Sequence, residues 1–316
     1  MRLVFRVDAS QDIGAGHVMR CSAIIEEAIS RNIECIVVGS MGGIEWLERR
    51  LMQLGTTHVE DWKNFEFSKV TDVLVIDSYK ISMTDCFIQP GKWKSVVNIA
   101  DEETPNYTSN LVIHPGIDSI TEKQSGVRIL TGPDFIPLRK SIKKSEIFNG
   151  NEVKKVVVFG GGSDKFHLAS AIANELIEIQ LFETAVFFTD LKQEISMLDS
   201  RFQISDFGAA LDDVLADTDL VFTTASTSSL EIIAREIPLA VCSSVSNQGP
   251  YLRALSEKSL AIGVGSLNSS GSWNLDSALI RELFSDPNLR YQLRKNSSGF
   301  LDLLGSQRIV NELQCL

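Results

Sequence analysis

Two α/β domains, each a parallel sheet with crossover helices, are the fold this 316-residue chain predicts, and three observations predict it. Hydrophobic residues make up 44% of the chain, enough to fill the cores of about two domains. Short apolar runs alternate with helix-forming stretches throughout, the pattern of strands joined by crossover helices. Both halves also open alike, with a buried strand running into glycines and then a helix. In the first half Leu3-Val4-Phe5 leads to Gly14 and Gly16, and in the second Val156-Val157-Val158-Phe159 leads to Gly160-Gly161-Gly162.

The elements follow in order. The apolar run 3–5 predicts a buried strand and the Ala- and Ile-bearing run 18–29 a helix. A strand is expected over 34–38, a helix near 44–54, and a strand over 73–76 that ends at Asp77. Short strands are expected over 95–99, 111–113 and 127–130. The polar, lysine-containing stretch 140–154 lacks an apolar period and reads as the connection, so domains are expected over 1–145 and 146–316. The second half predicts strands over 155–159, 185–188, 220–223, 239–242 and 260–264, with helices over 168–177, 229–236 and 250–258. The last stretch, 288–313, is rich in helix formers and either closes the second domain or packs back on the first. The two halves share an architecture and are not a sequence repeat. Both are expected to be Rossmann-like, facing each other across a cleft, with ligands at the carboxyl edges of the strands.

Composition narrows the partners. The formal charge of −11 and a pI near 4.9 argue against nucleic acid or an anionic membrane, both of which reward clustered Lys and Arg. A small anionic molecule fits, because local backbone dipoles outweigh net charge at a binding loop. No apolar run reaches the roughly 18 residues of a membrane span, and Met1 to Arg6 is a strand pattern without a signal-peptide cleavage site. A cytoplasmic protein is expected, a monomer or weak homodimer. The five cysteines form no C-x-x-C pair or metal-like spacing, and Cys35 and Cys242 lie in apolar strand runs, so reduced thiols are expected.

The first half concentrates candidate chemistry at strand ends. His17 stands where the first strand hands over to a helix, directly behind Gly14 and Gly16. The glycines permit a tight turn and close backbone approach to a ligand, and the helix start supplies unpaired N–H groups. Its partial positive charge disfavours imidazolium, which makes His17 a candidate base; the other reading is a helix cap behind a tight turn. Asp8, Asp77-Ser78-Tyr79 and Asp101-Glu102-Glu103 follow the neighbouring strands, either converging on one edge with His17 or capping the turns that follow them. His114 also follows a strand and is a weaker candidate, whereas His58 and His167 read as surface or packing residues.

The second half offers anion-binding loops. Gly160-Gly161-Gly162-Ser163 lets backbone N–H groups approach an anion, but it lacks both the P-loop Lys-Ser/Thr ending and G-x-G-x-x-G. ATP hydrolysis and NAD binding are therefore disfavoured. The run 223–231, Thr-Thr-Ala-Ser-Thr-Ser-Ser-Leu-Glu, sets small hydroxyl residues between a strand and a helix, either a phosphate cradle or a serine-rich N-cap. Glu231, placed in the first helical turn, either accepts ribose hydroxyls or complements the helix dipole. Asn247-Gln248 begins another helix at the same edge. With no H-E-x-x-H, His-rich cluster or D-x-D near the glycine loops, no metal ligand and no cofactor is assigned.

The stretch from Phe5 to Arg20 resembles the opening of the UDP-2,4-diacetamido-2,4,6-trideoxy-β-L-altropyranose hydrolases of pseudaminic acid biosynthesis. Their pattern is F-R-x-D, then S, then I-G-x-G-H, then Arg, and Phe5, Arg6, Asp8, Ser10, Ile13, Gly14, Gly16, His17 and Arg20 fill it. The resemblance continues through Asp77-Ser78-Tyr79, Asp101-Glu102, Gly132, Leu138-Arg139, Gly161-Gly162-Ser163-Asp164, Ala225-Ser226 to Glu231 and Asn247-Gln248, nearly the whole chain in order. Ser78 departs from it, since the family often has His there.

The resemblance implies a glycosyltransferase-B-like fold in which the second domain holds UDP and the first carries the catalytic His, here His17. It implies metal-independent hydrolysis of the sugar C–O bond with inversion, releasing UDP. Asp77 and Tyr79 are then expected to share the catalytic work. Arg6, Asp8, Gly14, Gly16, Arg20 and Asp101 are expected to contact substrate in the first domain. Gly161, Gly162, Ser226, Ser228, Ser229, Glu231, Asn247 and Gln248 take that part in the second. An inverting hydrolysis needs a base for water on the face opposite the leaving group and donors for charge growing on the phosphate, and His17 and the second-domain loops supply those groups. Two alternatives stay open: an inverting glycosyltransferase, which needs an acceptor site, and a non-catalytic nucleotide-sugar binding protein, which does not need His17.

Overall fold

The computed structural model describes residues 1–10, 13–60, 66–78, 81, 88, 91–101, 109–118, 127–145, 152–208, 211–246 and 248–316. The chain divides into two compact units, Met1–Lys140 with Asp302–Leu316, and Ser141–Leu301. The first division falls at Lys140 rather than at 145. The last 15 residues, for which the sequence leaves both domains open, are counted with the first unit.

In the first unit the strands β1 (Arg2–Val7), β2 (Glu34–Val38), β3 (Thr57–Val59), β4 (Asp72–Asp77), β5 (Ser95–Ile99), β6 (Leu111–His114) and β7 (Arg128–Thr131) form a seven-stranded sheet. Its order is β3-β2-β1-β4-β5-β6-β7 and every pairing is parallel. Strand alternation assigns the faces. Leu3, Phe5 and Val7 of β1 join Val18, Cys21, Ile24 and Ala28 of α1 (Gly16–Ser30) in one core, whereas Val4 joins Leu74, Ile76 and Trp93 in another on the opposite face. Each fully buried aliphatic or aromatic side chain contributes about 1.5–3 kcal/mol. The helix Gly305–Gln314 packs on α1 and inserts Ile309, Val310 and Leu313 into the α1-side core.

The second unit repeats the topology. The strands β8 (Lys155–Phe159), β9 (Thr184–Phe188), β10 (Phe202–Ser205), β11 (Leu220–Thr224), β12 (Leu239–Ser243), β13 (Ile262–Leu267) and β14 (Trp273–Leu275) form a sheet ordered β10-β9-β8-β11-β12-β13-β14. Pairing is parallel except for β13 with β14. Val156, Val158, Phe187 and Phe222 share a core with Leu168, Ile172 and Leu176 of the helix Leu168–Ile177. In each sheet the strand order reverses beside the first strand, at β1/β4 and at β8/β11, and open α/β sheets bind ligands at such switch points. Among the described residues no helix is long and apolar enough to cross a membrane.

Candidate active site

The switch point of the first sheet gathers its chemistry. The register pairs Val7 with Asp77, so the carboxyl ends of β1 and β4 lie side by side. Chain leaving β1 turns at Gly14, with φ +82 and its N–H donating to the Ser10 carbonyl at 2.7 Å, and enters α1 at Gly16. His17 is the second residue of that helix and Arg20 stands three further on, the spacing that puts two side chains on one face. The residue before α1, Ala15, makes no side-chain capping hydrogen bond to its first turn.

His17, Arg20 and Asp77 are 9%, 7% and 1% exposed and interlock. His17 Nδ1 lies 2.5 Å from Asp77 Oδ1. Arg20 donates from Nε to Asp77 Oδ2 and from Nη2 to Asp77 Oδ1, both at 2.6 Å, and Nη2 comes within 3.2 Å of the His17 ring nitrogen because both converge on one oxygen. Arg20 Nη1 donates to Asp101, which follows β5, and Cys21 Sγ reaches Asp77 Oδ2 at 3.5 Å. Burial alone would raise the Asp77 pKa, but the Arg20 charge, with His17 behind it, outweighs burial and holds the carboxyl below its ordinary range. An ionised carboxylate only accepts hydrogen bonds, so Nδ1 is the protonated nitrogen of His17 and Nε2 the basic one. That is the arrangement of a base oriented by a carboxylate.

The site residues expected in this unit separate into two clusters. Arg20, read from sequence as a substrate contact, directs Nε and Nη2 to Asp77 and Nη1 to Asp101. Arg6 and Asp8 pair with each other at 2.7 Å. Asp8 also accepts the Ser40 N–H at 3.1 Å and the Ser78 hydroxyl at 3.2 Å, tying the ends of β1, β2 and β4. Burial would raise the Asp8 pKa, and Arg6, the Ser40 amide and Ser78 together bring it below the usual value. Ser78, where the resembled family often has His, thus braces Asp8. Tyr79 lies outside the described residues. His114 ends β6 and is buried, with Nδ1 donating to the Ala100 carbonyl at 3.0 Å; burial lowers its pKa. Among the described residues no group of three or more His, Cys, Asp or Glu is placed to hold a metal ion.

The switch point of the second sheet carries the loops. Gly160-Gly161-Gly162 follows β8, with Gly161 at φ +115, and Thr224 of β11 donates its hydroxyl to the Gly160 carbonyl at 3.3 Å. Ser226 precedes the helix α2 (Thr227–Ala234), but its hydroxyl contacts Thr224 Oγ1 at 3.1 Å and does not cap the helix. Ser228 is half-buried in the first turn. Ser229 is fully buried and donates to the Ser226 carbonyl at 2.6 Å, so its hydroxyl serves the helix rather than a ligand. Glu231 is the fifth helical residue, beyond the first turn where the sequence placed it. Gln248 opens the helix Gln248–Glu257 and accepts the Ser244 N–H through Oε1 at 2.8 Å, closing the turn after β12. Asn247 lies outside the described residues.

No protein-family model matches the chain, and no curated protein matches its sequence. Solved structures do match. The chain is similar to MurG from Acinetobacter baumannii, at 11% identity and TM-score 0.62 over 100% of both chains. It is similar to S. aureus MnaA solved with UDP, at 11% identity and TM-score 0.63 over 99% of this chain and 96% of that one. It is similar to the spinosyn rhamnosyltransferase SpnG solved with thymidine diphosphate, at 12% identity and TM-score 0.61 over 99% and 100%. At such identities the likeness establishes the fold, two parallel-sheet α/β domains of the glycosyltransferase-B type.

Proposed function

We propose that the protein is a metal-independent, inverting UDP-sugar hydrolase acting on a UDP-linked 2,4-diacetamido-2,4,6-trideoxyhexose, with His17 as the base. The observation that carries the proposal is the contact of His17 Nδ1 with Asp77 Oδ1 at the switch point of the first sheet. It fixes the ring orientation and assigns the proton-accepting role to Nε2.

His17 Nε2 removes a proton from water as its oxygen attacks the anomeric carbon on the face opposite the phosphate. The sugar C–O bond breaks and its electron pair leaves with the β-phosphate oxygen of UDP. The imidazolium is stabilised by Asp77, itself kept anionic by Arg20, until the proton passes to solvent. Backbone N–H groups of the Gly160 to Gly162 turn and the first turn of α2 take the growing phosphate charge. Support for the nucleotide part comes from two similar solved structures with nucleoside diphosphates bound, MnaA with UDP and SpnG with thymidine diphosphate.

A second reading, an inverting glycosyltransferase, is favoured by one specific observation: similar solved structures include the enzyme named spinosyn rhamnosyltransferase. The same His-Asp pair would deprotonate an acceptor hydroxyl. Turnover of the UDP-sugar in oxygen-18 water separates the two. Hydrolysis by C–O cleavage releases UDP without any acceptor and puts the label in the sugar. UDP release that depends on an added sugar acceptor supports the transferase, and label in UDP contradicts C–O cleavage.

A further inference from the structure

We infer that Asp164 is a positioning residue for a nucleoside diphosphate, holding the Gly160-Gly161-Gly162-Ser163 turn in the shape that offers its amides to the phosphates. The inference rests on the assignment of UDP to the second unit.

Asp164 ends that turn and is 4% exposed. Its Oδ2 accepts the Thr189 hydroxyl at 2.8 Å, from the residue after β9, and its Oδ1 accepts the Ala169 N–H at 3.3 Å, from the first turn of the helix Leu168–Ile177. Thr189 is itself buried and accepts the Leu191 N–H at 3.1 Å, so the tie continues into the loop beyond β9. The Asp164 carbonyl accepts the His167 N–H at 2.8 Å. One side chain thus joins the β8 loop to β9 and to the following helix.

The glycines are shaped by this clamp. A Cβ on Gly160 would stand 2.9 Å from the Ser163 carbonyl oxygen and 3.1 Å from Asp164 Oδ1, so the turn folds back on the carboxylate too closely for any side chain there. From the other flank only Thr224 holds Gly160 through a side-chain hydrogen bond among the described residues. Without Asp164 the turn must be ordered by the ligand, and that ordering entropy is subtracted from affinity. Burial also pushes the Asp164 carboxyl up in pKa, against Thr189 and the helix amides. A buried carboxylate held by neutral donors costs more than an apolar plug of the same size.

The test compares UDP with uridine, which has the same nucleoside and no phosphates, by calorimetry on the full chain. Asp164→Ala should weaken UDP roughly tenfold or more, the loss expected when charge-assisted ordering of a site is removed, and leave uridine unchanged. Asp164→Asn keeps an acceptor for Ala169 and can donate to Thr189, so it should restore most of the UDP affinity. Thr189→Val, of equal size, cuts the β9 tie and should shift UDP in the same direction if Asp164→Ala fails to fold. Equal loss of UDP and uridine, or unchanged UDP affinity in a folded variant, overturns the inference. A wild-type protein that does not bind UDP contradicts the nucleotide assignment itself, and the inference falls with it.

Discussion

His17 and Asp77, sixty positions apart in the chain, meet at 2.5 Å because β1 and β4 are neighbours at the point where the sheet reverses its strand order. The helix that starts after β1 brings the imidazole to that edge, and the last residue of β4 brings the carboxylate. Arg20, one helical turn after His17, neutralises the buried acid and reaches on to Asp101.

Asp77→Asn keeps the side-chain volume but replaces the acceptor that holds Nδ1–H. The kcat should fall by on the order of 10²–10⁴ with KM little changed, because orientation of the base matters in the transition state and not in binding. Steady-state kinetics on the UDP-sugar check this. A kcat within a few-fold of wild type would remove Asp77 from the mechanism.

Arg20→Met leaves the Asp77 carboxylate buried without its main cation. The expected loss is about 3–5 kcal/mol of stability, the usual cost of breaking one side of a buried pair. Adding Asp77→Asn should recover part of it, since the uncompensated charge is then gone, and chemical denaturation of the two single variants and the double gives the coupling directly. Additive losses would show that Arg20 does not serve Asp77.

Acid should destabilise the first unit through the same group. Asp77 has a folded pKa held below its unfolded value, so its contribution is present above about pH 4 and is lost as the pH falls through the folded value. Asp8 shifts in the same direction, whereas the raised Asp164 acts oppositely, favouring the fold as it protonates. Denaturation series between pH 7 and 3 should therefore show a shallower acid loss for Asp77→Asn than for wild type. An identical slope would contradict the assignment.

Much of this was legible in the chain. The strands that carry the site are continuous apolar runs that end at a polar residue or glycine, and Val-rich β4 and β8 stand out for that reason. The short strands Thr57–Val59, Phe202–Ser205 and Trp273–Leu275 lack such runs because they sit at or beside sheet edges and are only partly buried. The partners of His17 were harder to read. The spacing Gly-His-x-x-Arg places His17 and Arg20 on one helix face, but which carboxylate they meet depends on strand order, which local pattern does not encode. Ser229 reads as part of a cradle because hydroxyl residues surround it, yet the third position of α2 turns toward the core and its hydroxyl closes the helix start.

The most direct test of the central claim, that His17 activates water and does not bind the nucleotide, is the pairing of turnover with UDP affinity in His17→Asn. Turnover should drop to background level, with UDP affinity within a few-fold of wild type by calorimetry. A variant that loses UDP binding as severely as activity, or that retains turnover, would contradict it.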